Sequence, residues 1–215
     1  MRKHGFFLFS YLVLTMAFAA FDSEAQGQPT RRYEVSITNL TKGQTFTPIL
    51  VATHRKGAQI FELGAEASPE VEAVAESGDT GPLSAFLEGL PEVNDVQVVS
   101  GLLGPGQTAT VEVDARGPFR FVSVASMLIP TNDGFFGLAG VEGPNGREPD
   151  VHFSPAYDAG TEVNEELCAD IPGPQCGSGA LDAGTEEDGV VHINAAIQGV
   201  GDLEPGLWDW RKSKR

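Results

Sequence analysis

The stretch FRFVSVASMLIPTNDGFFGL, residues 119–138, contains the longest strand candidate of the chain. Its first half is rich in β-branched and aromatic residues, a composition typical of a buried strand. Pro130 then stops the strand, and Asn132-Asp133-Gly134 is typical of a turn. A new apolar segment begins at Phe135. The sequence therefore predicts two successive strands, with Asp133 at the end of the first.

Other short strand candidates, separated by Gly and Pro, lie on both sides of this stretch. The full set is Tyr33–Thr38, Ile49–Thr53, Val96–Ser100, Thr108–Asp114, Phe119–Ile129, Val151–Phe153 and Val190–Ile197. Short strands at close spacing favour an antiparallel sandwich over a parallel sheet. We therefore predict a mainly β fold, an antiparallel β-sandwich with two short helices packed at an edge or end.

The two helices are predicted between the second and the third of these strands. The first begins at Ser68, an N-cap followed by proline, and ends at Gly78. The second opens at Pro82 and ends near Gly89. Its inward-facing residues are predicted to be Leu83, Phe86 and Leu87.

The amino terminus has the pattern of a secretory signal peptide. A basic start, MRKH, precedes an apolar run from Phe6 to Phe21 that is interrupted only by Ser10 and Thr15. We predict a signal peptide over residues 1–25, cleaved after Ala25, and a secreted or periplasmic location. A polar linker over 26–31, one domain over 32–211 and a basic tail over 212–215 are expected to follow.

The chain is strongly acidic, with a formal net charge of -16. Removal of residues 1–25 leaves this charge unchanged, because that segment carries two basic and two acidic residues. Such a charge repels nucleic-acid phosphates and anionic lipid headgroups. The sequence thus argues against nucleic acid and membrane insertion, and it favours cations and basic protein surfaces as partners.

The pentapeptide Asp-Ala-Gly-Thr-Glu occurs twice, at Asp158–Glu162 and at Asp182–Glu186. Two carboxylates spaced around a glycine suit a loop that binds a hard cation such as calcium, but they also suit a plain acidic turn. Two chain reversals after Asp133 would return Asp158 to the same end of the sheet. Asp133, Asp158 and Glu162 then converge on one calcium site, unless Asp133 serves only its turn.

The second copy has no preceding aromatic residue and lies in a Gly-rich stretch, so we predict a solvated acidic loop there. Glu165 and Glu166 are expected to be solvated as well. Cys168 and Cys176 are close in sequence and belong to an exported chain, so we predict a disulfide between them, with two free thiols as the alternative.

Three motifs resemble the spondin N-terminal domain, the family found in F-spondin, mindin and secreted bacterial proteins. They are the run Ser126–Leu138, the Tyr-Asp-Ala-Gly-Thr-Glu at 157–162 and the Trp208-Asp209-Trp210-Arg211 motif. The resemblance covers about residues 32–211. It implies a β-sandwich similar to C2 domains and a calcium ion bound by loops at one end. In that pattern the metal carboxylates fall at Asp133, Asp158 and Glu162.

The same resemblance implies a role in extracellular adhesion rather than catalysis, with a protein, matrix or cell-surface component as partner. Family members continue into a final apolar strand, where this chain has Lys212-Ser213-Lys214-Arg215. We therefore expect that strand to be lost or diverged. A missing edge strand would leave unpaired backbone groups and favour association with another chain.

Two other functions remain open from the sequence. Trp208 and Trp210 would share one face of a strand, as a core pair or as a platform for sugar rings, so a calcium-assisted carbohydrate-binding module is the alternative. A hydrolase is less favoured. The sequence has no Gly-x-Ser-x-Gly elbow, phosphate loop or dinucleotide fingerprint.

Overall fold

The stretch at 119–138 folds as two adjacent antiparallel strands around a tight turn. The computed structural model describes residues 30–176 and 184–212. The predicted signal peptide, most of the predicted linker, Asp182 and residues 213–215 lie outside these ranges. The elements are β1 Thr30–Thr38, β2 Thr45–Phe46, β3 Ile49–His54, α1 Pro69–Ser77, α2 Gly81–Glu88, β4 Val93–Val99, β5 Thr108–Arg116, β6 Phe121–Ile129, β7 Gly134–Glu142, β8 Ala156–Asp158, β9 His192–Ile193, α3 Pro205–Trp208 and a 3-10 turn Trp210–Lys212.

Two antiparallel sheets contain all the strands of the described residues. The larger sheet has the order β4-β3-β6-β7-β8-β9, with β2 also paired to β6. The smaller sheet is the pair β1–β5, which stays in register from Thr30 opposite Arg116 to Thr38 opposite Thr108. β1 thus begins inside the segment that the sequence assigned to a linker. The predicted mainly β, antiparallel fold class is confirmed.

The larger sheet is buried on both faces, because successive side chains of a strand point to opposite sides. On β3, Leu50 contributes to the core beneath the helices and Val51 to the core beneath β1 and β5. On β7, Phe135 contributes to the core beneath the helices and Phe136 to the core beneath β1 and β5. The central strands therefore read as continuous apolar runs instead of alternating ones.

The two helices lie on one face of the larger sheet, with α2 also close to the edge strand β4. Ser68 caps α1 by accepting a hydrogen bond from the Val71 N–H at 3.4 Å, and Gly78 ends it with φ of 69°. Both predicted helix boundaries hold. Leu83 and Leu87 are buried as predicted, whereas Phe86 is 49% exposed, so its predicted inward orientation is wrong. Leu83 and Leu87, an i, i+4 pair, form the part of the helix face that joins the core, and Phe86 lies at its margin.

Two of the predicted strands need correction. Val151–Phe153 has the alternation of a strand but no paired strand, and its apolar side chains are 74% and 78% exposed. The strand that runs back along β7 is Ala156–Asp158 instead. Of the predicted strand Val190–Ile197, only His192–Ile193 pairs. The ladder ends there because Asn194 Oδ1 accepts a hydrogen bond from Ala196 N–H, and Ala196 has a positive φ of 60°.

The carboxyl-terminal region forms a small cluster of its own. Ile171, Ile197 and Leu203 are buried there, with Trp208 and Trp210 packed against them. The predicted disulfide is confirmed, since Cys168 and Cys176 are bonded. Trp208 and Trp210 do not lie on a strand, because Trp208 ends α3 and Trp210 begins the 3-10 turn. Within residues 30–176 and 184–212, no helix has the length and apolar character that crossing a membrane requires.

We expect Leu50→Ala to lower the free energy of unfolding by about 2–5 kcal/mol, because it opens a cavity in the helix-covered core. Leu50 is fully buried on β3. Leu102→Ala is the matched control, since Leu102 is 53% exposed and should change stability by less than about 0.5 kcal/mol. Urea titration followed by tryptophan fluorescence measures both. Equal losses in the two variants would contradict the two-faced burial of the sheet.

Candidate metal centre

Asp133 and Asp158 lie side by side at one end of the larger sheet. β7 begins at Gly134, which pairs with Asp158 at the end of β8, and the Ala159 N–H donates to the Asp133 carbonyl at 3.2 Å. Both carboxylates are buried. The two chain reversals expected from the sequence therefore do bring these residues together, although the returning strand is β8 and not Val151–Phe153.

The turn before β7 does not use the Asp133 side chain. Thr131 Oγ1 accepts from Gly134 N–H at 3.0 Å and donates to the Leu128 carbonyl. The Asp133 carboxylate instead accepts through Oδ2 from the N–H groups of Thr161, at 2.9 Å, and Glu162, at 3.2 Å. Simple turn chemistry thus does not explain Asp133, because a threonine performs that role.

Asp133 is held in an environment that disfavours its negative charge. Its Oδ1 atom is buried and has no hydrogen-bond partner among the described residues. Burial, first, and the negative charge of Asp158, second, raise the pKa of Asp133 from 3.8 to about 6, against the opposing effect of nearby backbone N–H groups. A cation beside Oδ1 would supply the interaction that the protein groups do not.

Asp158 has a fuller set of partners. Its Oδ1 accepts from the Gly160 N–H at 3.1 Å, and its Oδ2 accepts from the side-chain amides of Asn164 and Asn194 at 2.9 and 3.1 Å. The ring nitrogen Nδ1 of His192 lies 3.8 Å from Oδ1. These donors fix the orientation of the carboxylate before any ligand arrives.

Glu162 is buried, but its carboxylate is directed to a different part of the loop. Oε1 accepts from the Gly184 N–H at 3.0 Å. A Cβ atom on Gly184 would lie 2.6 Å from the Glu162 carboxyl carbon, so a larger residue at 184 would displace the end of the Glu162 side chain. The backbone N–H of Glu162 contacts Asp133, as described above. The structure therefore joins Glu162 to the site through its main chain.

The second pentapeptide pairs with the first. Val163 N–H donates to the Thr185 carbonyl and Glu187 N–H donates to the Thr161 carbonyl, both at 2.8 Å. Glu162 and Glu186 form an isolated antiparallel bridge, and Glu186 is exposed. The predicted solvated loop is thus correct for the Glu186 side chain but misses the backbone pairing. The repeat itself was the only sequence signal for this contact, and Asp182 lies outside the described residues.

Glu166 was predicted to be solvated, and that prediction is wrong. Its carboxylate is buried and accepts from three consecutive backbone N–H groups, those of Gln198, Gly199 and Val200, at 2.5, 2.6 and 3.0 Å. Its own N–H donates to Asn132 Oδ1 at 3.3 Å. Glu166 therefore links the carboxyl-terminal region to the turn that carries Asp133. Nothing in its acidic neighbourhood distinguished it in the sequence.

The carboxylates of the candidate site meet some of the requirements for binding a hard cation such as calcium. Among the described residues, no three or more His, Cys, Asp or Glu side chains are grouped closely enough to hold a metal ion. Two buried carboxylates, those of Asp133 and Asp158, do lie close together, and their oxygens are the possible metal ligands. Asp133 Oδ1 has no hydrogen-bond partner in the described chain. This donor set suits calcium in charge and chemistry. Asp133 and Asp158, two of the three carboxylates predicted as ligands, are thus close together.

We expect Asp133→Asn to become progressively more stable than the wild type as the pH rises in a chelating buffer. The folded state binds the Asp133 proton more tightly than the unfolded state, so this group stabilises the fold below about pH 4 and the contribution is lost as the pH passes about 6. The stability difference between the two proteins should grow by about 3 kcal/mol over that range.

Urea midpoints at a series of pH values measure this difference. Asp150→Asn is the control, because Asp150 is an exposed carboxylate outside the site. A difference between Asp133→Asn and wild type that stays constant with pH would contradict the raised pKa of Asp133.

We expect Glu166→Ala to lower the free energy of unfolding by about 1–3 kcal/mol or more, because three backbone N–H groups lose a buried acceptor. Glu165→Ala is the matched control, since Glu165 is adjacent but only partly buried. Thermal melts and amide hydrogen exchange at residues 198–200 report the effect. If the two variants lose the same stability, Glu166 does not anchor the carboxyl-terminal region.

One family model, described as Spondin_N, matches residues 33–162. The match includes Asp133, Asp158 and Glu162 and stops before Glu166 and the two cysteines. No curated protein matches the chain. The chain belongs to the Spondin_N family, the spondin N-terminal domain, which is a non-enzymatic and extracellular type of domain.

Proposed function

We propose that this protein is a secreted, non-catalytic adhesion module that binds calcium at Asp133 and Asp158. The observation that carries the proposal is the pair of buried carboxylates at one end of the larger sheet, with Asp133 Oδ1 lacking a hydrogen-bond partner in the described residues. Membership of the Spondin_N family supports the adhesion role. Secretion follows from the signal peptide predicted over residues 1–25.

The role of the cation would be to offset charge repulsion. Two buried carboxylates in contact destabilise one another, and a divalent ion between them converts that repulsion into attraction. The loops around them are already joined by backbone hydrogen bonds. The Glu187 N–H donates to the Thr161 carbonyl, and the Gly189 N–H donates to the Gly160 carbonyl. Calcium would therefore stabilise a loop cluster whose backbone contacts already exist without it. Exported calcium modules commonly bind with dissociation constants of about 0.1–1 mM.

Glu162 has a secondary part in this proposal. Its carboxylate contributes negative charge near the pair, and its Oε1 accepts a hydrogen bond from the Gly184 N–H at 3.0 Å. A glutamate that acts through a bridging water or through its charge alone is compatible with this arrangement.

We propose that the partner binds to the surface formed by the loops beside the site. Val163, Leu167 and Val190 are exposed apolar residues on these loops. Val163 directly follows Glu162 in the chain, and Val190 follows Gly189, whose N–H donates to the Gly160 carbonyl. The acidic surface around them suits a basic protein or matrix component. Contact through calcium-ordered loops would make adhesion dependent on the cation.

The alternatives lack comparable support. The carbohydrate-binding alternative relied on Trp208 and Trp210, whose rings pack against the carboxyl-terminal cluster and are not presented on a strand. A hydrolase would need a carboxylate pair open to a substrate, and the carboxylates that meet here are buried. Neither function has a specific observation in its favour.

We expect calcium at about 10 mM to raise the Tm of the chelated wild-type protein by about 3–10 °C, the size that a site with a dissociation constant of about 0.1–1 mM produces. Asp158→Asn should abolish the rise, since it removes one of the two anionic ligands. Glu186→Gln is the matched control, because it changes an exposed carboxylate of the second pentapeptide and should keep the full rise.

Differential scanning calorimetry with magnesium as a second cation measures the effect. The proposal fails if calcium leaves the wild-type Tm unchanged, or if Asp158→Asn responds like the wild type.

A further inference from the structure

The chain between β7 and β8 contains Asn145-Gly146, the only Asn-Gly pair in the sequence. Both residues are exposed and lie outside any helix or strand. At such a pair the backbone nitrogen of the glycine can attack the side-chain amide carbon of the asparagine and close a ring. Glycine has no Cβ atom to obstruct the attack, and it adopts a wide range of backbone dihedrals. The pair is therefore suited to a spontaneous chemical modification.

The hydrogen bonds of the attacking nitrogen distinguish this pair from similar pairs in the fold. Asp133-Gly134 and Asp188-Gly189 can undergo the same ring closure at a carboxyl group. However, Gly134 N–H donates to Thr131 Oγ1 at 3.0 Å, and Gly189 N–H donates to the Gly160 carbonyl at 2.8 Å. Gly146 N–H donates to no group of the described residues. Of these three glycine nitrogens, that of Gly146 is free to react.

The backbone around Gly146 also has room to move. A Cβ atom built on Gly146 would meet no atom nearer than 4.0 Å, the distance to the backbone nitrogen of Glu148. Cβ atoms built on Gly134 and Gly189 would lie 2.6 and 2.7 Å from neighbouring atoms. Ring closure must rotate the peptide that joins the two residues of the pair. Close packing opposes that rotation at Gly134 and Gly189, but not at Gly146.

A cationic side chain contacts the amide group that would react. Arg31 Nη1 donates to Asn145 Oδ1 at 3.3 Å and to the Pro144 carbonyl at 3.4 Å. Attack on the amide carbon places negative charge on Asn145 Oδ1, and a guanidinium beside that oxygen stabilises the charge. Arg31 is therefore placed to speed the ring closure.

We propose that Asn145 is a site of deamidation, with water as the co-reactant and with assistance from Arg31. The Gly146 nitrogen loses its proton and bonds to Asn145 Cγ. The Cγ–Nδ2 bond breaks, and ammonia leaves with the proton. Water then opens the cyclic imide, giving aspartate when it attacks the side-chain carbonyl and isoaspartate when it attacks the main-chain carbonyl. Either product carries one more negative charge than asparagine, and no oxidant or reductant is involved.

The modification changes the contact between β1 and the chain that follows β7. In the aspartate product, Arg31, the second residue of β1, faces a carboxylate in place of an amide. A neutral acceptor is thus replaced by an ion pair. Asn145 follows the last residue of β7, whereas Asp133 and Asp158 lie at its beginning. The modification is therefore independent of the proposed calcium site.

The test ages the full chain, without calcium, in water enriched in the heavy isotope of oxygen. Peptide mapping by mass spectrometry then follows every asparagine. We expect Asn145 to take up one heavy oxygen atom and to yield both isoaspartate and aspartate. The reaction should be faster in mildly alkaline than in mildly acidic buffer, because the Gly146 nitrogen must lose its proton. Gly146→Ala should slow it several-fold, since its Cβ atom obstructs the attack but clashes with nothing in the fold.

Asp188→Asn is the matched control, because it places the same dipeptide at a glycine whose N–H is hydrogen-bonded. In the folded protein, position 188 of this variant should deamidate several-fold more slowly than Asn145. In concentrated urea, where that hydrogen bond is lost, the two positions should react at similar rates. Arg31→Gln should slow the reaction of Asn145 in the folded protein and leave its rate in urea unchanged.

Two results would overturn the proposal. The first is that Asn145 stays intact in the folded protein while it reacts in urea, which would show that the fold protects it. The second is an equal rate at Asn145 and at position 188 of Asp188→Asn in the folded protein, which would show that the free Gly146 N–H does not select the site. An unchanged rate in folded Arg31→Gln would overturn the assistance by Arg31.

Discussion

The antiparallel pairing of β6 with β7 is the constraint on which the rest of the structure depends. It runs from Phe121 opposite Glu142 to Met127 opposite Phe135 and places a tight turn at one end. Each of the two strands contributes side chains to both cores, so the pair fixes where the helices and the small sheet can pack. It also fixes the end of the sheet at which Asp133 emerges, and β8 pairs with β7 to bring Asp158 beside it.

The sequence predicted those parts of the fold that depend on local pattern. The central strands, both helices, the Ser68 cap of the first helix and the disulfide were predicted, because apolar runs, N-cap residues and closely spaced cysteines carry their own signals. The wrong strand predictions concern segments whose structure depends on whether another strand lies beside them. Val151–Phe153 alternates like a strand but pairs with no strand of the described residues. Ala156–Asp158 is only three residues long and forms a strand because β7 lies beside it.

For the candidate site, too, the sequence predicted some features and missed others. Asp133 and Asp158 were brought together by reasoning about strand direction, which is a property of topology. The direction of the Glu162 side chain and the burial of Glu166 depend on backbone N–H groups that approach from residues 184 and 198–200. Contacts with such distant loop segments leave no periodic trace in the sequence. The repetition of the pentapeptide was a visible signal, but it did not reveal that the backbones of the two copies would pair.

The pairing of β1 with β5 also has a consequence for the order in which the protein folds. The closest residues that this pairing joins, Thr38 and Thr108, are 70 positions apart, so β1 can be completed only after most of the matched domain has been synthesised. Contacts between residues this distant in sequence form slowly, because the intervening chain must first be ordered. Among the strands of the described residues, β1 is therefore the first to leave the ribosome, and about 70 further residues must follow before the first residue of its partner strand is made.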